Sequence, residues 1–253
     1  MDSQSSEKEK REKRERNRIQ FKAGLFLVFS LVFCSTTFYG YQILFSDNLL
    51  VDKKTKVLYI PTGADFKQVV DSLEKGEFLH DKLSFMFLSR LLGYRKNVIP
   101  GRYEIQPNTN NFKLLKMLIK GRQTPLMLTF NNIRTKKDLV KKFSRRLEID
   151  STSLMTVLSD VEYLQSIGFN DTTIMAMFIP NSYEVYWTWT GKQLVDFFYE
   201  EHKKFWTEER INKAKEIGFT PVQVVIMASI VEAETQKAEE KARIAGVYMN
   251  RYK

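Results

Sequence analysis

Glu232 and Glu234 close a run, Val222 to Val231, that only Gln223 and Ser229 interrupt with polar side chains. Thr220-Pro221 precedes the run. A hydroxyl N-cap followed by a proline suited to the first helical turn predicts a helix start there. A helix apolar on nearly every side is expected to be central and buried. Glu234 lies three residues after Val231, four after Ile230 and seven after Met227, so it extends a buried stripe. Glu232 stands about 200° away round a helix of ~3.6 residues per turn, so the two carboxylates point to different sides. Ordinary glycosidases pair carboxylates roughly 5–5.5 Å apart for retention or ~6.5–9.5 Å for inversion. This spacing suggests instead one acid/base, Glu234, whose partial burial would hold its proton near neutrality. The plainer alternative is a charged helix end facing solvent.

A second chemical feature is the stretch Phe178 to Trp189, the most aromatic outside one long apolar run near the N-terminus. Pro180 and Asn181 mark a turn within it. Tyr183, Tyr186, Trp187 and Trp189 offer faces on which sugars stack, or else they fill a core as aromatics usually do. Asn181, Tyr183, Glu184 and Trp187, with Glu232 and Thr235, are the candidate substrate contacts.

Other chemistries find little support. One cysteine, Cys34, excludes an intramolecular disulfide framework and a cysteine-cluster zinc site. Two histidines, His80 and His202, far apart in the chain, make a histidine metal centre or a Ser-His-Asp triad unpromising. The 253 residues are 43% hydrophobic, which supports a packed core of one or two domains and excludes wholesale disorder.

The elements that would position these groups show an internal repeat. Leu58-x-Ile60, Tyr103-x-Ile105 and Leu128-x-Phe130 alternate as strands do. Each is followed 9, 10 and 13 residues later by an apolar triplet: Val69, Val70, Leu73; Leu114, Leu115, Leu118; Leu139, Val140, Phe143. The triplets define one helix face. The intervening PTGAD, QPNTN and NNIRT are turns. Each unit therefore reads as strand–turn–helix. A further helix is predicted over 82–92, and Pro100-Gly101 turns the chain into the strand 102–105. Residues 56–126 then form a strand–helix–helix–strand module with one more helix and a closing strand. That layout resembles a LysM-like domain, which implies glycan binding or service as a spacer. Beyond it, 151–168 reads as one helix with Ser151 as N-cap and Gly168 at its end, and Lys192 to Trp206 as another.

The charge distribution sets the location. The formal net charge is +10. Residues 1–22 hold eight Lys/Arg and five Asp/Glu, and 23–45 carry no charge. A helix of that length crosses a ~30 Å hydrocarbon core. The basic flank predicts an N-terminus in the cytoplasm and everything from Ser46 onward outside it. No Ala-x-Ala-like cleavage site follows the run, and Phe33 before Cys34 is too large for a lipoprotein signal. An uncleaved single-pass anchor is expected. Nucleic-acid binding by the KEKREKRER run is weaker, because its glutamates cancel much of the field. The basic exterior either favours an acidic polymer such as wall material or is an ordinary solvated surface.

The run MASIVEAETQKAEEKARIAGVYMNRY, 227–252, resembles the signature of the YceG-like (MltG) endolytic murein transglycosylases: A-S-I-[IV]-E-x-E-T, an acidic-basic stretch, then V-x-x-N-R. Here these stand as Ala228 to Thr235 and Val247-x-x-Asn250-Arg251. The order of tail, membrane helix, LysM-like module, aromatic turn and catalytic helix agrees, with Ile179-Pro180-Asn181-Ser182-Tyr183 where F-P-D-T-Y is common. The resemblance implies lytic cleavage of the β-1,4 bond between N-acetylmuramic acid and N-acetylglucosamine, with Glu234 as the acid/base. It implies no metal and no cofactor, a bacterial cytoplasmic-membrane location, glycan strands as substrate and glycan-polymerising synthases as neighbours.

The expected fold class is thus α+β, with a cytoplasmic tail (1–22), a membrane helix (23–45), a linker (46–55), the LysM-like module (56–126) and part of a catalytic domain (127–253). Family members continue with a DPT-like motif and a Gly-Leu-Pro-Pro-Gly-like loop, and neither occurs here. Residues 224–249 are therefore expected to expose apolar surface, and this chain to show little activity alone. A non-catalytic wall-binding or scaffold protein with the same anchor is the competing class.

Overall fold

The computed structural model describes residues 2–45, 55–107, 109–131 and 133–252. Apart from Thr55, the linker expected over 46–55 lies outside them. The fold is mixed α/β, with a membrane-length helix at the N-terminus and a mostly helical remainder. It divides into two compact units, Met1–Arg122 and Gln123–Lys253.

The first unit opens with helix α1 (Asp2–Phe45), which runs without a break from the basic tail into the apolar segment. Within it, Gln20–Gln42 is long and apolar enough to cross a membrane. Strand β1 (Lys56–Ile60) leads to α2 (Phe66–Lys75) and α3 (Lys82–Leu91). Strand β2 (Gly101–Ile105) then pairs antiparallel with β1, Leu58 opposite Tyr103, and α4 (Asn111–Ile119) follows. The predicted triplets Val69, Val70, Leu73 and Leu114, Leu115, Leu118 all enter the core with Leu58, Ile60, Phe85, Leu88, Tyr103 and Ile105. Burial of each such side chain contributes roughly 1.5–3 kcal/mol.

In the second unit, β3 (Leu126–Phe130) pairs antiparallel with β4 (Asn181–Val185), Leu128 opposite Tyr183. The strand expected to close the first module at 126 therefore belongs to the second unit, where its hydrogen-bonding edge finds β4. Between the two strands lie α5 (Lys136–Ser144), α6 (Ser151–Val157) and α7 (Val161–Ser166). The helix predicted over 151–168 is thus two, because Asp160 caps a second start by accepting from the Tyr163 N–H at 3.0 Å. Asp150, not Ser151, caps the first, accepting from the Thr152 and Ser153 N–H groups. Gly168, at φ +81°, ends α7 in the left-handed conformation that glycine adopts without a Cβ penalty. After β4 come α8 (Gly191–Phe205), α9 (Glu208–Glu216), α10 (Pro221–Glu234) and α11 (Ala238–Tyr252). The α9 helix carries no predicted counterpart.

The strand–turn–helix repeat has a capping rule. Asp65, Asn110 and Thr135 each stand five residues after the last strand residue and accept from the N–H three residues on. A second repetition is larger. Ile99-Pro-x-x-Tyr103-Glu104-Ile105 and Ile179-Pro-x-x-Tyr183-Glu184-Val185 form the return strands β2 and β4. Both tyrosines lie buried opposite a leucine, and each hydroxyl donates to the carbonyl four residues back: Tyr103 to Ile99 at 2.9 Å, Tyr183 to Ile179 at 2.6 Å. The second unit therefore starts with a structural copy of the hairpin frame that the first unit uses.

Candidate functional site

The capping predicted for α10 is present: Thr220 Oγ1 accepts from the Gln223 N–H, and Gln223 Oε1 accepts from the Thr220 N–H at 2.8 Å. Val222, near the start of α10, packs against the second unit's core. The helix as a whole is not buried, contrary to expectation. Val231 is its one buried residue among those described, and Ile226 is 44% exposed. The side of α10 away from the core instead opens, with α11, onto an apolar cavity of about 430 Å³. Phe219, Val224, Met227, Val231, Ala245 and Met249 line it, and Glu232 and Lys241 stand at its polar part. This is the apolar surface expected over 224–249.

Both carboxylates at the end of α10 are engaged by α11. Tyr248 Oη donates to Glu234 Oε1 at 2.6 Å. Lys241 Nζ donates to Glu232 Oε2. Lys241 and Tyr248 are seven residues apart, hence on one face of α11 and about two turns apart. The two glutamates accordingly reach different points along α11, each with its own partner. Glu234 is exposed, against the expectation of partial burial, and Glu232 is half-buried. The hydrogen bond to the Glu234 carboxylate is the main cause that raises the Tyr248 phenol above its ordinary range. Tyr248 is therefore a protonated donor at neutral pH.

Thr235 is buried at the corner between the helices. Its hydroxyl donates to Glu240 Oε2 at 2.8 Å and accepts from the Lys237 N–H at 3.1 Å. Those bonds fix the turn that brings α11 back along α10. The side chain expected to touch substrate thus makes both of its hydrogen bonds within this turn.

Of the aromatic stretch, Asn181–Val185 is strand β4, which the chain enters through a bend at Pro180. Its alternation, Tyr183 and Val185 in, Ser182 and Glu184 out, is the period-two signal that the proline obscures. Tyr183 is 7% exposed, stacked on Phe130 and edge-on to Phe198, and burial raises its phenol pKa. The core alternative, not sugar stacking, describes this ring. Asn181 and Glu184 are exposed on β4, and Trp187 just beyond it is half-buried against the core. Glu232, Glu234 and Thr235 are thus gathered at the α10–α11 corner, while Asn181, Tyr183, Glu184 and Trp187 are grouped on and beside β4. Tyr248 and Lys241 are the residues that sequence reasoning missed. Their seven-residue spacing on the helix after the two glutamates was the available signal.

The α10–α11 corner thus presents a glutamate bonded by one phenol, in a chain of mixed α/β fold that carries one membrane-length helix. Residues 58–253 match the YceG-like family, and the chain belongs to it. It is 25% identical to the endolytic murein transglycosylases of Streptococcus pneumoniae serotype 2 strain D39 and of strain ATCC BAA-255 / R6, over 89% of this chain and 46% of each relative. The chain therefore spans less than half the length of these curated relatives. A yceG-like protein from Listeria monocytogenes, solved as a crystal structure, aligns over 79% of this chain and 71% of its own at 17% identity and a TM-score of 0.46.

Proposed function

We propose that the chain acts in endolytic lytic cleavage of peptidoglycan glycan strands at the β-1,4 bond between N-acetylmuramic acid and N-acetylglucosamine. The observation that carries this reading is Glu234: exposed at the end of α10, within the family's motif, and held by one neutral donor instead of a second carboxylate. Glu234 protonates the glycosidic oxygen. Its carboxylate then takes the proton of the muramyl 6-hydroxyl as that oxygen closes on C1, leaving a 1,6-anhydro end. Water takes no part, so no second carboxylate is required to activate it as a general base. Tyr248 holds the ionised carboxylate between the two proton transfers, and the bond it makes weakens when Glu234 is reprotonated. No metal or organic cofactor has a step in this scheme.

Asn181, Glu184, Trp187 and Glu232 are the remaining proposed contacts along the glycan. Residues 56–126 are a LysM-like module that binds or spaces the strand, α1 anchors the protein in the cytoplasmic membrane with everything from Ser46 onward outside, and glycan-polymerising synthases are its proposed neighbours. Mass analysis of products from purified glycan strands tests the reaction class. Anhydro-muramyl ends are the product expected of any cleavage. Products heavier by one water would indicate hydrolysis and a different mechanism, and binding without any cleavage would favour the wall-binding scaffold.

A further inference from the structure

The α3 helix is apolar on two faces. Ser84, Phe85, Leu88 and Ser89 are buried in the first unit. Leu83, Phe87 and Leu91 are 76%, 59% and 70% exposed. At ~100° per residue these three form a stripe centred about 130° from the buried face. A helix covering a soluble core carries polar residues there. Among the described residues, the module's own packing does not explain three large exposed apolar side chains, and such patches mark contact surfaces.

The position of α3 narrows the contact. It packs against α1, as does α4. Leu44, two residues past the end of the membrane-length segment Gln20–Gln42, is partly buried against the first unit's core. Two helical residues rise ~3 Å. If Gln20–Gln42 spans the bilayer, the module begins almost at its surface. Arg90 flanks the stripe, and Lys113 and Lys116 are exposed on α4; none of the three has an ion-pair partner among the described residues. Apolar side chains bordered by cations suit the boundary between acyl chains and anionic headgroups, into which amphipathic helices sink ~5–10 Å.

We infer that the Leu83–Phe87–Leu91 face of α3 is a lipid-docking surface that lays the part of the first unit beyond α1 on the outer face of the same bilayer that α1 crosses. The inference rests on the anchor reading, and it adds an orientation: the module is held down at two points, not swung from a tether.

Nitroxide labelling of the full chain in phosphatidylcholine–phosphatidylglycerol vesicles separates the two. The native Cys34, exposed in the middle of the apolar segment, reports the span, and Phe87→Cys in a Cys34→Ser background reports the stripe. Both labels are expected to meet oxygen more than a water-soluble nickel chelate. Adding Leu83→Asp and Leu91→Asp should raise chelate access at position 87 about threefold or more by lifting α3 out of the lipid. The melting curve should stay unchanged, because neither side chain is in the core. Cys34 immersed with position 87 fully water-exposed would overturn the docking and leave the anchor standing. Cys34 in water would overturn both. Spin–spin broadening at 87, with shielding from oxygen and chelate alike, would mean that a second copy of the chain covers the stripe and would also overturn it.

Discussion

Tyr248 Oη lies 2.6 Å from Glu234 Oε1 and donates to it, joining the last residue of α10 to the C-terminal part of α11. A neutral phenol beside a carboxylate supports an acid/base that must exist in both protonation states, whereas a cation there would lock it ionised. Tyr248→Phe keeps the ring and removes only that bond. The rate of anhydro-product formation should fall about tenfold, equivalent to ~1.4 kcal/mol of transition-state stabilisation, with KM little changed. A rise in KM alone would assign Tyr248 to substrate binding.

Glycan turnover outside the cytoplasm requires the folded part to lie there. A reporter fused after Lys253 should be active outside the cytoplasm, and removal of residues 1–45 should release soluble protein. Activity of the reporter inside the cytoplasm would sink the topology.

The two return strands make a matched pair of stability tests. Tyr103→Phe and Tyr183→Phe each delete one buried hydroxyl bond to a carbonyl four residues back, and each should cost about 1 kcal/mol in chemical denaturation. Burial pushes the Tyr103 phenol up to about 12, so neither effect should change between pH 6 and pH 9 beyond ~0.5 kcal/mol. Ile105→Asp or Leu115→Asp, which place a carboxylate in the first unit's core, should instead unfold it. An unchanged melting curve after either would remove the strand–turn–helix account of that unit.

His202 gives the second unit a pH dependence. Its ring is buried edge-on to Phe169, Nε2 has no hydrogen-bond partner among the described residues, and burial lowers its pKa. The folded state therefore binds the proton less readily than the unfolded chain. The associated stability is fully present above the unfolded value of ~6.5 and is lost as pH falls from there towards the folded pKa. The melting temperature should drop between pH 7 and pH 5, and His202→Phe should flatten that slope. A slope unchanged by the substitution would place its origin elsewhere.

Much of this architecture is legible in the sequence, for a physical reason. The apolar triplets after each strand are local periodicities, and all nine residues lie in cores. Strand pairing is not local. Leu128 meets Tyr183 across 55 residues, and no periodicity in β3 says that its partner is β4 and not β1. The clue was the repeated Ile-Pro-x-x-Tyr-Glu, visible only when return strands are compared with each other. The burial of α10 was overestimated because uniform apolarity tells what a helix would cover, not whether α11 and a cavity stand on that side. Glu234 was singled out by its motif. Tyr248 was hidden because an aromatic on a helix reads equally as packing or as a donor.

The proposed mechanism has Glu234 alone perform the acid and base steps, with Glu232 held in an ion pair by Lys241. The most direct measurement compares, in a catalytically competent context, Glu234→Gln and Glu232→Gln with the unaltered protein, counting 1,6-anhydro-muramyl ends released from purified glycan strands by mass spectrometry. Glutamine keeps the side-chain shape and loses the transferable proton. Glu234→Gln should lower product formation by at least about a hundredfold, the lower end of what a general acid/base contributes, while Glu232→Gln should cost much less. A larger loss at Glu232, or substantial anhydro product from Glu234→Gln, would contradict the account.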